Sequence, residues 1–159
     1  MKKRNFILFI VLLYFSKILN AAPISESIAK KVALNFLRTK TSSEILINAK
    51  SVKLIYKYCD SVTTYIYVFN VNPIGFIVIS GDDRVIPVLS YSDESSYDTS
   101  MINKSAAQWF EGYKNQIKSA IENNVHPTDE IQKMWKELNP KAIKLLKRKK
   151  YRKKTTNKK

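Results

Sequence analysis

The spacing of apolar residues changes from a helical period to a strand period and back again along this 159-residue chain. After Ser25, whose hydroxyl is expected to cap a helix, apolar residues recur at helical spacing. They are Ile28, Ala29, Val32, Ala33, Phe36 and Leu37. This pattern leaves Asn35 among the positions that should face solvent, and the helix is predicted to end in the polar stretch 39–43.

From residue 51 the period becomes two, which predicts strands. Val52, Leu54, Tyr56 and Tyr58 should share one face of the first strand. In the second, Tyr65, Tyr67, Phe69 and Val71 oppose Ile66 and Val68. Runs at 76–80 and 85–91 complete four strands with short connections, and short connections require antiparallel pairing. Pro87 cannot donate a ladder hydrogen bond, so the last strand should lie at an edge or carry a bulge.

Two further helices follow a polar stretch. Ser105 is expected to cap a long one, and Thr128 a short one that Asn139 and Pro140 end. The long helix has one apolar face, made of Ala106, Trp109, Phe110, Tyr113, Ile117, Ala120 and Ile121. The short helix presents Ile131, Met134, Trp135 and Leu138. The predicted fold is therefore α+β, an antiparallel sheet of about four strands flanked by helices.

Both ends of the chain differ from its middle. Residues 1–22 begin with three bases at positions 2–4, followed by an apolar run and small residues, which is typical of a secretory signal cut after Ala21 or Ala22. A retained N-terminal anchor is the alternative. Residues 141–159 predict a disordered basic tail. Between them we expect one folded domain at 23–124 and a short helical extension at 125–140. The protein should be secreted or periplasmic.

The formal charge of +15 does not belong to the predicted domain. Of the 28 Lys and Arg residues, four lie in 1–22 and eleven in 141–159, while the other thirteen share 23–140 with all thirteen acids. Because a nucleic-acid-binding domain carries its charge on the folded surface, this class is excluded for the middle of the chain. For the tail two interpretations stay open: non-specific contact with anionic membrane or nucleic acid, or a solvated end.

Candidate catalytic chemistry is sparse. Asp82, Asp83 and Arg84 are predicted to form a hairpin tip with solvent-exposed charges. An ion site is not expected there, because the side chains of adjacent strand residues point to opposite faces. Cys59 and His126 are far apart in sequence, and Cys59 is expected to be buried and inert. One cysteine allows no internal disulfide, and three glycines provide no phosphate loop. We therefore expect no catalytic, metal-binding or cofactor-binding residues, and a binding or inhibitory module in preference to an enzyme.

An ordered set of motifs from about residue 25 to 121 resembles the prodomain of the streptopain family of bacterial cysteine proteases and the stand-alone, Spi-type inhibitors related to it. The aromatic strand with Tyr65, Tyr67, Phe69 and Asn70 opens the set, and Tyr97-Asp98 and the 112–117 segment close it. The framework positions between them are Gly75, Phe76, Gly81, Asp82, Asp83, Arg84, Pro87 and Tyr91.

The resemblance implies a function. Such prodomains place a segment in the protease cleft and push the catalytic histidine away from its cysteine, so the partner would be a streptopain-like cysteine protease, with no small-molecule substrate and no cofactor. The residues implied to contact the protease are Met101, Ile102, Asn103, Lys104, Ser105, Ala106 and Trp109. An amide that the family places near the insertion point corresponds to Lys104 or Ser105, with Asn103 close by, and the catalytic half is expected to be missing. Two alternatives stay open: a truncated or orphan prodomain, and a surface-binding module acting through the tail.

Overall fold

Four strands in sequence order form an antiparallel sheet with helices on both faces. The computed structural model describes residues 22–40, 48–101 and 103–138. The elements are α1 (Glu26–Lys40), β1 (Val52–Cys59), β2 (Thr64–Val71), β3 (Phe76–Ser80), β4 (Val88–Ser92), a 3-10 turn (Thr99–Met101), α2 (Lys104–Glu122) and α3 (Asp129–Leu138). Neighbours in the sheet are neighbours in the chain. The predicted α+β architecture is confirmed.

One face of the sheet is covered by α1 and α3. Ala29, Val32 and Ala33 of α1 are almost completely buried against the inward-facing residues of β2 and β3. Trp135 and Leu138 of α3 pack against the same cluster.

Asn35 departs from the prediction. It was assigned to the solvent face, yet it is 5% exposed and its Nδ2 donates a hydrogen bond of 2.9 Å to the Leu138 carbonyl oxygen. The residue is buried because it binds a free carbonyl at the end of α3, a partner 103 positions away. Helical periodicity alone does not contain that contact.

The other face of the sheet is covered by α2. Phe110 and Ile117 are buried there with Ile66, Val68 and Val78. Tyr113 and Ile121 pack at the margin, as the predicted apolar face requires, whereas Trp109 is 36% exposed. The sheet is thus the middle layer of three.

A bulge in β1 overturns the prediction that its four apolar residues share one face. The register with β2 shifts between Leu54 and Tyr56. Val52 and Leu54 therefore pack on the α1 side, whereas Tyr56 and Tyr58 pack on the α2 side. One extra residue in a strand reverses the face of every residue after it.

The last strand begins later than predicted, at Val88 instead of Val85. Pro87 precedes it and is buried, and its carbonyl oxygen accepts a hydrogen bond of 3.0 Å from the Ser80 amide. The expected edge position is confirmed, since β4 pairs with β3 only, and the register there also shifts between Val78 and Ile79.

Two of the three predicted helix caps are confirmed. The Ser25 hydroxyl accepts from the Ile28 amide at 3.4 Å, and the Thr128 hydroxyl accepts from the Ile131 amide at 3.3 Å. The prediction of Ser105 as the cap of α2 is wrong, because the cap is Asn103.

Several predictions concern residues outside the described ranges. These are the leader as far as residue 21, the tail at 141–159, the helix stop at 139–140 and Ile102. Within the described ranges, no helix is long and apolar enough to cross a membrane.

Candidate functional site

The start of α2 presents a short exposed segment to solvent. Asn103 has extended backbone angles, and its Oδ1 accepts a hydrogen bond of 2.8 Å from the Ala106 amide. Lys104 and Ser105 are exposed in the first turn, and Ala106 is half-buried. The cap fixes the entry of the chain into the helix, and the residues around it form an exposed corner. We call residues 103–106 and Trp109 the α2 corner.

Asn70 of β2 holds the loop that leads to this corner. Its Nδ2 donates to the Tyr97 carbonyl oxygen at 3.0 Å, and its Oδ1 accepts from the Tyr97 amide at 2.8 Å. The next residue, Asp98, accepts from the amide and the hydroxyl of Ser100, at 2.8 and 2.7 Å, and so opens the 3-10 turn that ends at Met101. Sheet, loop and helix start are thereby connected by side-chain hydrogen bonds.

A chain of aromatic rings holds Trp109 in place. Its ring centroid lies 5.0 Å from that of Phe110 and 4.5 Å from that of Tyr113. Phe110 in turn contacts Tyr97 edge-on at 5.7 Å, and Tyr97 contacts Phe76 at 5.8 Å. Trp109 is therefore exposed but packed against rings that reach the sheet, which is the condition of an anchor residue at a protein interface.

Charge beside the corner is arranged as a small network. The Lys114 ammonium lies 3.0 Å from Oε1 of Glu111, and the Tyr58 hydroxyl donates to Oε2 at 3.2 Å. The hydrogen bond from Lys114 lowers the pKa of the Glu111 carboxyl, while burial and the bond to Glu111 raise the pKa of Tyr58. Glu111 therefore stays ionised. Lys104 of the corner has no ion-pair partner among the described residues.

Two framework glycines flank β3, and neither position has room for a side chain. Gly75 has φ of 126°, and a Cβ there would lie 2.7 Å from the Ser92 carbonyl oxygen. A Cβ on Gly81 would overlap the Thr64 carbonyl oxygen, because the Gly81 amide donates to the Tyr65 carbonyl at 2.7 Å.

Asp82 and Arg84 correct the prediction of a wet hairpin tip. The turn exists, but Asp82 is 1% exposed, and one guanidinium nitrogen of Arg84 lies 3.0 and 2.9 Å from its two carboxylate oxygens. The second terminal guanidinium nitrogen donates to Oδ1 of Asn124 at 3.4 Å, and the Trp135 indole donates to the Val85 carbonyl oxygen at 2.7 Å. Residues 81–85 are thus a junction where the ends of α2 and α3 meet the sheet.

The framework positions do not form one site, because the junction and the α2 corner lie at opposite ends of β3. Asn70 pairs with Phe76 in the sheet, so the corner lies near the Gly75 end of β3. The junction lies at the Gly81 end. Tyr91 contacts Phe36 at 5.1 Å on the α1 side, and Pro87 lies beside Ser80.

Cys59 is exposed at the end of β1, so the prediction of a buried cysteine is wrong. The strand ends there and the polypeptide turns through Asp60, which leaves its side chain outside both cores. Among the described residues, no group of three or more His, Cys, Asp or Glu side chains is placed to hold a metal ion.

Comparison with protein families decides what this architecture is. The family model described as Spi protease inhibitor matches residues 21–117, which is more than half of the chain. The chain belongs to this family. The match contains the sheet, the junction and the α2 corner, and it confirms the resemblance inferred from the ordered motifs.

A curated relative connects the family with proteases. The chain is 26% identical over 132 residues to the thiol protease/hemagglutinin PrtT of Porphyromonas gingivalis. The aligned region includes 81% of this chain but only 15% of that protein. The family supports a protease-inhibitor or prodomain-like role.

Sequence reasoning named the corner but missed what holds it. Asn70 and Tyr97 were noticed only as parts of a motif, yet their paired hydrogen bonds fix the approach to α2. An asparagine in a strand is the available signal, because asparagine is depleted in strands unless its amide has a partner.

Proposed function

We propose that the protein is an exported inhibitor of a streptopain-like cysteine protease, that it has no catalytic activity of its own, and that its α2 corner enters the protease cleft. The observation that carries the proposal is the exposed corner itself, in which Asn103 caps the helix and Trp109 is packed between aromatic rings. Membership of the Spi protease inhibitor family supports the partner class. The sequence pattern of residues 1–22 supports export.

Inhibition requires only that the protease cysteine and histidine be separated. A cysteine nucleophile is activated by an imidazole within hydrogen-bond reach, so an inserted segment that displaces the histidine removes the thiolate. Asn103, Lys104 and Ser105 have exposed side chains suited to that insertion. Met101 and Ile102 precede them and are assigned to the same contact by the family resemblance alone.

Rigidity gives the corner an energetic advantage. A segment that is already capped and braced loses little conformational freedom when it binds, and ordering each flexible side chain at an interface costs about 0.5–1.5 kcal/mol. The Asn70 clamp and the aromatic chain provide this preorganisation.

The decisive experiment is a titration of enzyme activity. The exported protein, purified from a bacterial culture, is added to a streptopain-like cysteine protease at a known concentration of active sites. We expect activity to fall linearly to near zero at about one equivalent, with the inhibitor recovered intact. Full protease activity at micromolar inhibitor, or peptide-bond cleavage by the protein alone, would contradict the proposal.

The match to a longer thiol protease favours a second candidate, a prodomain without its catalytic domain. Such a domain folds but binds only weakly, because a tethered prodomain works at an effective concentration of about millimolar. The same titration separates the two: tight, stoichiometric inhibition supports the inhibitor, and inhibition only at micromolar or higher concentration supports the orphan prodomain.

The lysine-rich segment 141–159 belongs to the surface-binding alternative. Eleven bases attract any polyanion through non-specific electrostatics, and such binding weakens with salt. A chain truncated after residue 140 should lose binding to anionic vesicles and to nucleic acid. If binding persists after truncation, the tail is not the site.

A further inference from the structure

The segment before α1 adds a short stretch of antiparallel pairing to the junction at residues 81–83. Pro23 forms an isolated bridge with Asp82, and the Ile24 amide donates to the Gly81 carbonyl oxygen at 2.8 Å. The Asp83 amide lies 3.4 Å from the Ala22 carbonyl oxygen. These contacts hold the backbone of residues 22–24 against the turn between β3 and β4.

The nitrogen of Ala22 is directed at a carboxylate. It donates a hydrogen bond of 2.7 Å to Oδ1 of Asp83, a residue 61 positions away. Residue 22 is itself exposed, so its nitrogen lies at the protein surface, where a chain end can be accommodated.

No cation among the described residues forms an ion pair with Asp83. The neighbouring Asp82 is neutralised by Arg84, whose guanidinium nitrogen contacts both of its carboxylate oxygens. The Asp83 carboxylate accepts a hydrogen bond from the Ala22 N–H. Partial burial and the nearby Asp82 charge raise the pKa of Asp83, whereas the Ala22 N–H and Arg84 lower it. A positive charge at the Ala22 nitrogen would complete the pairing.

We propose that the peptide bond between residues 21 and 22 is a proteolytic processing site, and that the new α-ammonium of Ala22 forms an ion pair with the Asp83 carboxylate. A peptidase of the export pathway hydrolyses the bond: water adds, residue 21 keeps the carboxylate, and Ala22 receives an amine. That amine takes up a proton below its pKa of about 7.7–8.0. The nitrogen does not need to move, since it already lies at ion-pair distance.

The position of the cut matters. Leader patterns are compatible with a cut on either side of Ala22. A cut between Ala22 and Pro23 would remove the hydrogen bond to the Asp83 carboxylate and the contact with its amide. A cut before Ala22 keeps both and adds charge. Of the two cuts that the sequence leaves open, only this one retains the contacts that the ion pair needs, and this inference does not depend on protease inhibition.

The first test is the identity of the mature N-terminus. The full chain is expressed in a bacterium that exports it, and the product is analysed by intact mass and N-terminal sequencing. We expect the exported protein to begin at Ala22. A product that begins at Pro23 or elsewhere, or that keeps the leader, would overturn the proposal.

The second test measures the ion pair directly. In the exported protein labelled with ¹³C at alanine methyl groups, titration of the Ala22 methyl shift reports the α-amino pKa. We expect a pKa about one unit above the ordinary range, because the carboxylate stabilises the charged form. Asp83→Asn should return it to the ordinary range, whereas the matched Asp93→Asn variant on the exposed loop after β4 should leave it raised.

A third measurement protects the test against a variant that fails to fold. Acetylation of the α-amine of the exported wild-type protein removes the charge without any substitution. We expect the acetylated protein to melt at a lower temperature than the free amine at pH 6, with the difference shrinking above pH 9 as the amine loses its proton. An ordinary α-amino pKa in the wild type, or equal melting of the two forms at pH 6, would overturn the ion pair.

Discussion

At the scale of single residues, Trp109 is the side chain of the α2 corner best suited to bind a partner. It keeps 36% of its surface exposed while its ring packs against Phe110 and Tyr113. Tryptophan is among the residues most often found to dominate binding energy, especially where it is held in position before the partner arrives. Exposure combined with ring packing is therefore the local evidence for an interface.

Replacing Trp109 by alanine should separate binding from folding. We expect Trp109→Ala to raise the inhibition constant about 30-fold, equivalent to about 2 kcal/mol, with a smaller loss of about 1 kcal/mol in unfolding free energy from the lost ring contacts. Enzyme titration and urea unfolding measure the two quantities. Val62→Ala, in the β1–β2 turn with 91% exposure, is the control and should change neither. An unchanged inhibition constant in a folded Trp109→Ala variant would place the interface elsewhere.

Asp60 gives the protein a local sensitivity to acid. The Tyr65 hydroxyl donates to Oδ2 at 2.6 Å, and the amides of Thr63 and Val62 donate to Oδ1 at 2.7 and 2.9 Å. In that order these hydrogen bonds lower the pKa of Asp60 from 3.8 to about 2. The folded form thus releases this proton more readily than the unfolded form does.

The pH dependence follows with a definite sign. Because the pKa of Asp60 is depressed on folding, its contribution to stability is complete above 3.8 and is lost as the pH falls toward 2. Asp60→Asn should make the melting temperature less dependent on pH across that interval, and Tyr65→Phe should have part of the same effect. Melting curves recorded from pH 2 to pH 6 would show it. An Asp60→Asn variant with the slope of the wild type would exclude this carboxylate as the cause.

At the scale of elements, the bulge in β1 shows how one position changes the role of a whole strand. Before the register shift β1 contributes Val52 and Leu54 to the α1 side, and after it Tyr56 and Tyr58 to the α2 side. The aromatic half of the strand thereby reaches α2, where the ring of Tyr58 stacks on Phe110 at 5.7 Å. A regular strand would have placed these rings on the opposite face of the sheet.

Two glycines provide a matched test of element packing. Gly81→Ala should lower the unfolding free energy by about 3 kcal/mol or more, because its Cβ would overlap the Thr64 carbonyl and force β2 and β3 apart. Gly112→Ala should instead stabilise α2 by about 0.5–1 kcal/mol, since a Cβ there meets nothing within 4 Å and alanine favours a helix. Urea unfolding measures both. Similar effects from the two substitutions would mean that the close approach at Gly81 is absent.

At the scale of the whole molecule, α3 connects the end of the described chain to its beginning. Its Trp135 indole binds the Val85 carbonyl in the junction, and Leu138 presents its carbonyl oxygen to Asn35 of α1. The same junction pairs with residues 22–24. A domain boundary near residue 124 was predicted from the sequence and stays a prediction, and these contacts suggest how to test it.

Substitutions at Trp135 measure how far α3 belongs to the domain. Trp135→Ala should lower the unfolding free energy by about 3 kcal/mol, because the ring packs against the α1-side core. Trp135→Phe keeps most of that packing and loses the hydrogen bond to Val85, which should cost about 1 kcal/mol. Lys133→Ala, on an exposed position of the same helix, is the control. If α3 is a separable extension, Trp135→Ala will leave the main unfolding transition unchanged.

The sequence by itself determined the elements and the family. The helical period of Ala29, Val32 and Ala33, the alternation in β2 and the short turns between strands depend on neighbours a few residues away, so they can be read along the chain. The order of the motifs then sufficed for the resemblance that the family match confirms. The α2 corner could be named only through this resemblance.

Only the tertiary structure decided which polar groups are buried and where the strand faces change. Asn35 is buried and donates a hydrogen bond to a carbonyl 103 residues away. Asp82 is buried and pairs with Arg84, whose guanidinium also binds Asn124. The Ala22 nitrogen donates to a carboxylate 61 residues further on. Asn35 and Asp82 are polar and are therefore assigned to the surface by pattern alone. All three contacts depend on partners brought together by the folded chain, and no local periodicity contains that information.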